Sequence, residues 1–112
     1  MTHFVRLSAL AEEDILRNAL WWADHHSVDE AIYWESVVRQ QLREIANNPD
    51  SHGLSGESSL MNGIFRDALL GTGRRGSYRA VFIVSGDMIF IMRVLRASQG
   101  AFRAKDLPKE SN

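Results

Sequence analysis

The residues with chemical potential in this 112-residue chain are mostly arginines, and they gather late. Residues 71–76 read GTGRRG, which matches the G-x-G-x-x-G spacing of pyrophosphate-cradling loops, and Arg66, Arg79, Arg93, Arg96 and Arg103 lie on either side of it. A guanidinium forks onto phosphate or carboxylate oxygens two at a time. It stays protonated at any working pH, so it stabilises charge but cannot act as a general base. Acid–base partners are missing from this half: His3, His25, His26 and His52 all precede it, and the chain has no cysteine. His25 and His26 are neighbours whose side chains point apart, with no third ligand placed, so no metal and no cofactor are expected. The inventory suits anion binding better than proton transfer.

The elements that must position these arginines follow from periodicity. HFVRL (3–7) reads as a short strand. Ser8 is an N-cap, with Glu12, Glu13 and Asp14 near the positive end of the next helix. Ala11, Ile15, Ala19 and Trp22 form its apolar stripe, to about His26. Ser27-Val28-Asp29-Glu30 is a capping box that opens a second helix, whose stripe is Ala31, Trp34, Val38, Leu42 and Ile45. Asn47-Asn48-Pro49 ends it. With one capping residue between them, the helices must fold back as an αα-hairpin. Trp21, Trp22 and Trp34 are expected to pack within it rather than to form a platform for bases.

Residues 50–62 carry turn chemistry and read as a loop. Residues 63–70, 78–85 and 88–95 read as strands, the last two joined by a tight Gly86-Asp87 turn. MIFIMRVL (88–95) is apolar on both faces apart from Arg93, as a centrally placed strand would be. A two-residue turn pairs residue 79 near residue 94 and puts Arg79 and Arg93 on opposite faces. One of them would then line an anion-binding surface beside Arg66 or Arg96, or a strand arginine would bond a helix carboxylate such as Asp14. GTGRRG is followed by a strand, whereas a dinucleotide loop must open a helix and meet an acidic residue some 20 positions on. Here that neighbourhood holds Met92, Arg93 and Val94. The motif is a hairpin loop with Arg74 and Arg75 at its tip. The tail is expected to form one helical turn near 101–107 and to fray over 108–112, with a single domain expected at 1–107.

Composition permits an ordinary soluble domain: 45% of residues are hydrophobic and 24% charged. No secretion signal and no apolar run of membrane-spanning length is present, which fits a cytoplasmic protein without a membrane partner. The net charge of −1 hides an asymmetry. Residues 1–62 hold 4 Lys+Arg against 10 Asp+Glu, and residues 63–112 hold 9 against 4. An acidic helical layer and a basic sheet layer are the simplest arrangement of that split.

Three segments carry a family likeness: LSALAEEDI (7–15), NPDSHG (48–53) and, above all, YRAVFIVSGDMIFIMRVLRASQ (78–99). Together they resemble the RelE/ParE toxins of bacterial type II toxin–antitoxin systems, also called plasmid stabilisation proteins. The resemblance implies an α+β fold: an N-terminal strand, an αα-hairpin, then a three-stranded antiparallel meander in a twisted sheet with the helices on one face. It also implies a cognate antitoxin as partner, laying an amphipathic helix on the hairpin or adding a strand to the sheet. RelE-like members cut mRNA on the ribosome, and Arg79 matches the arginine they carry after the hairpin tyrosine. Where they place further basic residues, this chain has Ala97-Ser98-Gln99, and Phe102 lies nearest to their C-terminal tyrosine. ParE-like members inhibit DNA gyrase without a catalytic set. The resemblance therefore implies growth inhibition by binding a macromolecular target such as gyrase, with Arg66, Arg79, Arg93, Arg96 and Gln99 as the candidate contact residues. The alternatives are ribosome-dependent mRNA cleavage using Arg79 and Arg96, or a degenerate toxin acting only as an interaction module.

Overall fold

Ser8 joins the first strand to the rest of the chain. Its backbone N–H donates to the Ile91 carbonyl at 2.9 Å, its hydroxyl donates to the Met92 carbonyl at 2.7 Å, and the same oxygen accepts the Ala11 N–H at 3.0 Å. One buried residue thus ends a strand, caps a helix and pins both to a strand more than eighty positions away. In the computed structural model, which describes residues 3–49, 65–73 and 77–97, the elements are β1 (Phe4–Leu7), α1 (Ala9–His25), α2 (Val28–Glu44), a 3₁₀ turn (Ile45–Asn47), β2 (Arg66–Leu70), β3 (Tyr78–Ser85) and β4 (Met88–Arg96). The order matches the α+β expectation. The loop at 50–62, the hairpin tip at Arg74 and Arg75, and the tail from 98 onward, with Gln99, Phe102 and Arg103, lie outside the described residues.

The sheet order is β1-β4-β3-β2, so the apolar β4 is central, as its two-sided pattern requires. β2, β3 and β4 form the antiparallel meander. β1 instead pairs parallel to β4, so the sheet is mixed. β1 runs straight into α1 at Ser8, and α1 then continues past the point where β1 stops, beside the last residues of β4.

Helix boundaries follow the caps. Ser27 accepts the Glu30 N–H at 3.0 Å, which starts α2, while the Glu30 carboxylate lies 3.5 Å from His26 Nδ1. Ile15, Trp34, Val38 and Leu42 from the helices meet Leu70, Ala80, Phe82, Ile89, Ile91 and Val94 from the sheet. All are essentially excluded from water, which contributes about 1.5–3 kcal/mol for each large side chain. The reverse face of the sheet holds a second cluster of Phe65, Val81 and Leu95, with Ile83 and Met92 against it. Gly86 takes φ +61° in the β3–β4 turn and Gly71 takes φ +130° after β2, conformations that side chains resist. Gln41 of α2 holds the backbone of Gly71 from both sides, accepting its N–H at 2.8 Å and donating to its carbonyl at 3.1 Å.

β3 and β4 do not keep the register of a two-residue turn throughout. Phe82 pairs with Ile91, yet Val81 pairs with Arg93 and Arg79 with Leu95, so Met92 is an extra residue on β4. The bulge has a physical reason. Strict alternation from Ile89 and Ile91 would send the Arg93 side chain into the core; the extra residue puts Val94 there and turns Arg93 aside. The expected pairing of residue 79 near 94 is thereby shifted by one, and Arg79 and Arg93 are not separated by simple alternation.

The two helices are tied by Arg39, which donates to both oxygens of Glu12 at 3.2 and 2.9 Å and to Glu35 at 2.9 Å. The bonds from Arg39 hold the Glu12 carboxyl below the usual range against the opposing effect of partial burial, and the same contacts raise Arg39. A folded-state value below the unfolded one, about 4.3, means that the stabilisation is complete above that pH and lost as pH falls through the depressed value. Denaturant unfolding between about pH 5 and pH 3 should therefore show a steeper loss of stability for the wild type than for Glu12→Gln. Parallel curves would show that this bridge does not stabilise the fold.

Candidate functional site

The site is built where α1 overhangs β4 beyond the end of β1. Asp14, one and a half turns into α1, is fully buried. Its Oδ2 accepts Arg93 Nε at 2.7 Å and the Val94 N–H at 2.9 Å; its Oδ1 accepts Arg93 Nη2 at 2.9 Å and Arg17 Nη1 at 3.2 Å. The fork from Arg93 is bidentate, the geometry in which arginine and carboxylate bind most strongly. The Asp14 backbone carbonyl also accepts from the Asn18 amide at 2.8 Å. The bulge at Met92 makes this possible, since it frees both Arg93 and the Val94 N–H to face the helix.

Beside this junction lies a cleft of about 220 Å³ lined by Arg17, Asn18, Trp21, Arg93, Val94, Leu95 and Arg96 with Asp14 at its base. Arg96 is exposed and lies over the Trp21 ring, 4.8 Å from its centroid. Trp21 also stacks on His25 at 4.3 Å and meets the Trp22 edge at 5.6 Å. A second hollow of about 280 Å³ shares Trp21 and Arg96 and adds Trp22, Ser77 and Tyr78. Trp22 Nε1 donates to the Tyr78 hydroxyl at 3.2 Å. Trp34, by contrast, is a core residue with its ring edge-on to Tyr78.

The other arginines go elsewhere. Arg79 pairs with Leu95 on the reverse face, is only 7% exposed, and donates to Asp67 Oδ1 at 3.2 Å. Arg96 pairs with Tyr78 and so belongs to the face toward the helices. Arg66 pairs with Phe82 on the outer strand β2 and is half-buried. Among the described residues, the positive charge of the second half therefore does not gather on one layer. Arg93 is neutralised by a helix acid, Arg79 by a strand acid, and Arg79 and Arg96 sit on opposite faces of one hairpin. The alternative in which a strand arginine bonds Asp14 is what Arg93 does.

Arg17 and Trp21 complete the cleft, although neither stands out in the sequence as a site residue. The available signal is helical spacing: positions 14, 17, 18 and 21 share one flank of α1. Among the described residues no cluster of histidines and acids could hold a metal ion, and no helix is long and apolar enough to cross a membrane.

No protein-family model and no curated protein matches this sequence. Among solved structures, a chain of the "Chromosomal ParDE TA system from P. aeruginosa" shares the fold, with a TM-score of 0.68 and 18% identity over 85% of this chain and 96% of that one. At that identity the likeness is one of architecture.

The Asp14 junction predicts a specific sensitivity. Asp14→Asn keeps the size but leaves the guanidinium of Arg93, mostly buried, without its counter-charge, and should lower the unfolding free energy by about 3 kcal/mol. Urea titration of the two proteins measures it; a loss below about 1 kcal/mol would mean that the pair is dispensable.

Proposed function

We propose that this chain is the toxin of a type II toxin–antitoxin pair, acting in the cytoplasm, held inactive by a cognate antitoxin, and inhibiting growth by binding a macromolecular target without catalysis. The observation that carries this reading is the shared fold with a chain of a ParDE system, which takes in 96% of that chain. The segments at 7–15, 48–53 and 78–99 point to the same class independently of that fold. DNA gyrase is the target that a ParE-like toxin implies.

The arrangement of charged groups supports the non-catalytic form. Cleaving RNA needs a base for the 2′-hydroxyl, an acid for the leaving oxygen and a cation at the phosphate between them. Arg79 and Arg96 would have to converge on that phosphate, but they occupy opposite faces of the β3–β4 hairpin. Arg79 is committed to Asp67 and Arg93 to Asp14. No histidine follows His52 in the sequence to complete an acid–base pair. Binding needs none of this.

Induction of the full chain alone in a bacterial host should arrest growth and produce filaments, and the purified protein should inhibit supercoiling by gyrase. Co-expression of the adjacent small reading frame should restore growth. Transcripts cut at mapped 5′ ends, with supercoiling unaffected, would replace this mechanism by ribosome-dependent cleavage. Unimpaired growth on induction would leave an interaction module in place of a toxin.

A further inference from the structure

The cleft between the flank of α1 and the end of β4 holds more positive charge than its own residues cancel. Arg17, Arg93 and Arg96 line it with a single carboxylate, Asp14, at the base. Both oxygens of Asp14 are engaged: Oδ2 takes Arg93 Nε and the Val94 N–H, and Oδ1 takes Arg93 Nη2 and Arg17 Nη1. Three guanidiniums against one carboxylate leave two positive charges over. The Arg17 side chain is 66% exposed, and among the described residues its one hydrogen bond is the one to Asp14. Arg96 is exposed as well, and among the described residues its guanidinium has no ion pair, only the Trp21 ring at 4.8 Å. Positions 17 and 21 are one helical turn apart, so Arg17 and the Arg96 that lies over Trp21 flank the same opening.

Size, stacking and charge select the guest. The volume of about 220 Å³ lies below the roughly 300–1,000 Å³ that holds a drug-sized ligand, so only a small molecule fits. Trp21 offers no ring face to an aromatic guest, because His25 is stacked on it at 4.3 Å and Arg96 lies over it. The helices around the cleft carry 8 Asp+Glu against 3 Lys+Arg over residues 9–44. They repel an extended polyanion along its whole length, whereas a compact anion meets mainly the arginines. A lone carboxylate would leave one guanidinium uncompensated. A phosphomonoester brings about −1.5 to −2 charges at pH 7 and three acceptor oxygens, onto which guanidiniums fork in pairs.

We propose that this cleft binds a small, non-aromatic phosphomonoester, with its phosphate between Arg17 and Arg96 and its carbon skeleton against Asn18 and Leu95. Arg93 takes no direct part, since its charge is committed to Asp14. The guest touches α1 and β4 together, so occupancy stabilises the folded chain by mass action. This proposal goes beyond the toxin reading and does not depend on it, because its test measures binding and not growth.

The probe is glycerol 3-phosphate, titrated into the full chain and followed by chemical shifts and by the thermal unfolding midpoint. Glycerol and a single-stranded octanucleotide serve as comparisons. Glycerol 3-phosphate is expected to bind saturably and to raise the midpoint, less so as salt rises, while glycerol does neither. The shift changes should centre on the Trp21 indole and on the side-chain N–H groups of Arg17 and Arg96. Arg17→Gln and Arg96→Gln alter exposed side chains, so both variants should fold, and each should weaken binding at least about tenfold. Arg43→Gln on α2 should leave it unchanged. The proposal is overturned by no saturable binding, by an equal response to glycerol, by tighter binding of the octanucleotide, by full affinity in both arginine variants, or by shift changes that fall elsewhere on the chain.

Discussion

A buried carboxylate accepting four hydrogen bonds is the constraint around which this molecule is arranged. Asp14 holds α1 against β4 where β1 no longer reaches, by Arg93 Nε at 2.7 Å and the Val94 N–H at 2.9 Å in particular. An ionised group excluded from water is tolerated only when its partners replace the lost solvation. Those partners must be in register, and the bulge at Met92 brings them there. The same bulge resolves a conflict in β4, whose run of apolar residues would otherwise carry an arginine into the core. Local sequence and global packing agree only with the extra residue in place.

This junction places the cleft. Asp14 fixes α1 directly to the β4 main chain at Val94, and the cleft bounded by Trp21 and Arg96 lies beside that contact. Because Asp14 is one charge shared by Arg17 and Arg93, the cleft retains positive character although most of its arginines have partners. The cleft and the fold thus draw on the same residues, with Arg93 serving the fold and Arg96 left toward solvent. The charge split along the sequence is real, but among the described residues folding interleaves it: Asp14 of α1 neutralises Arg93 and Asp67 of β2 neutralises Arg79.

Much of the fold was legible in the residues. Ser8 and Ser27 announced the helix starts, the apolar stripes marked the faces that are buried, and the two-sided β4 declared its central position. Gly86 marked the tight turn. Two features of the fold were not legible. The parallel pairing of β1 depends on which side of β4 the crossover brings it to, and no local pattern encodes that. The bulge arises from a conflict between alternation and Arg93, and its position is set by the Asp14 contact, far away in sequence. The site was legible only in part: Arg96 stood out as a cation at the end of the last strand, while Arg17 and Trp21 lay in an acidic helix and owe their role to β4 packing beside them. The dinucleotide pattern at 71–76 was resolved by the element after it, a strand in place of a helix.

The central claim is that Asp14 and Arg93 act as a unit joining helix to sheet. A double-mutant cycle with Asp14→Ala and Arg93→Ala, read by denaturant unfolding, tests it most directly. A coupling free energy of about 2 kcal/mol or more is expected between the two positions. Losses that simply add, to within about 0.5 kcal/mol, would show that the two residues stabilise the fold separately and would contradict the claim.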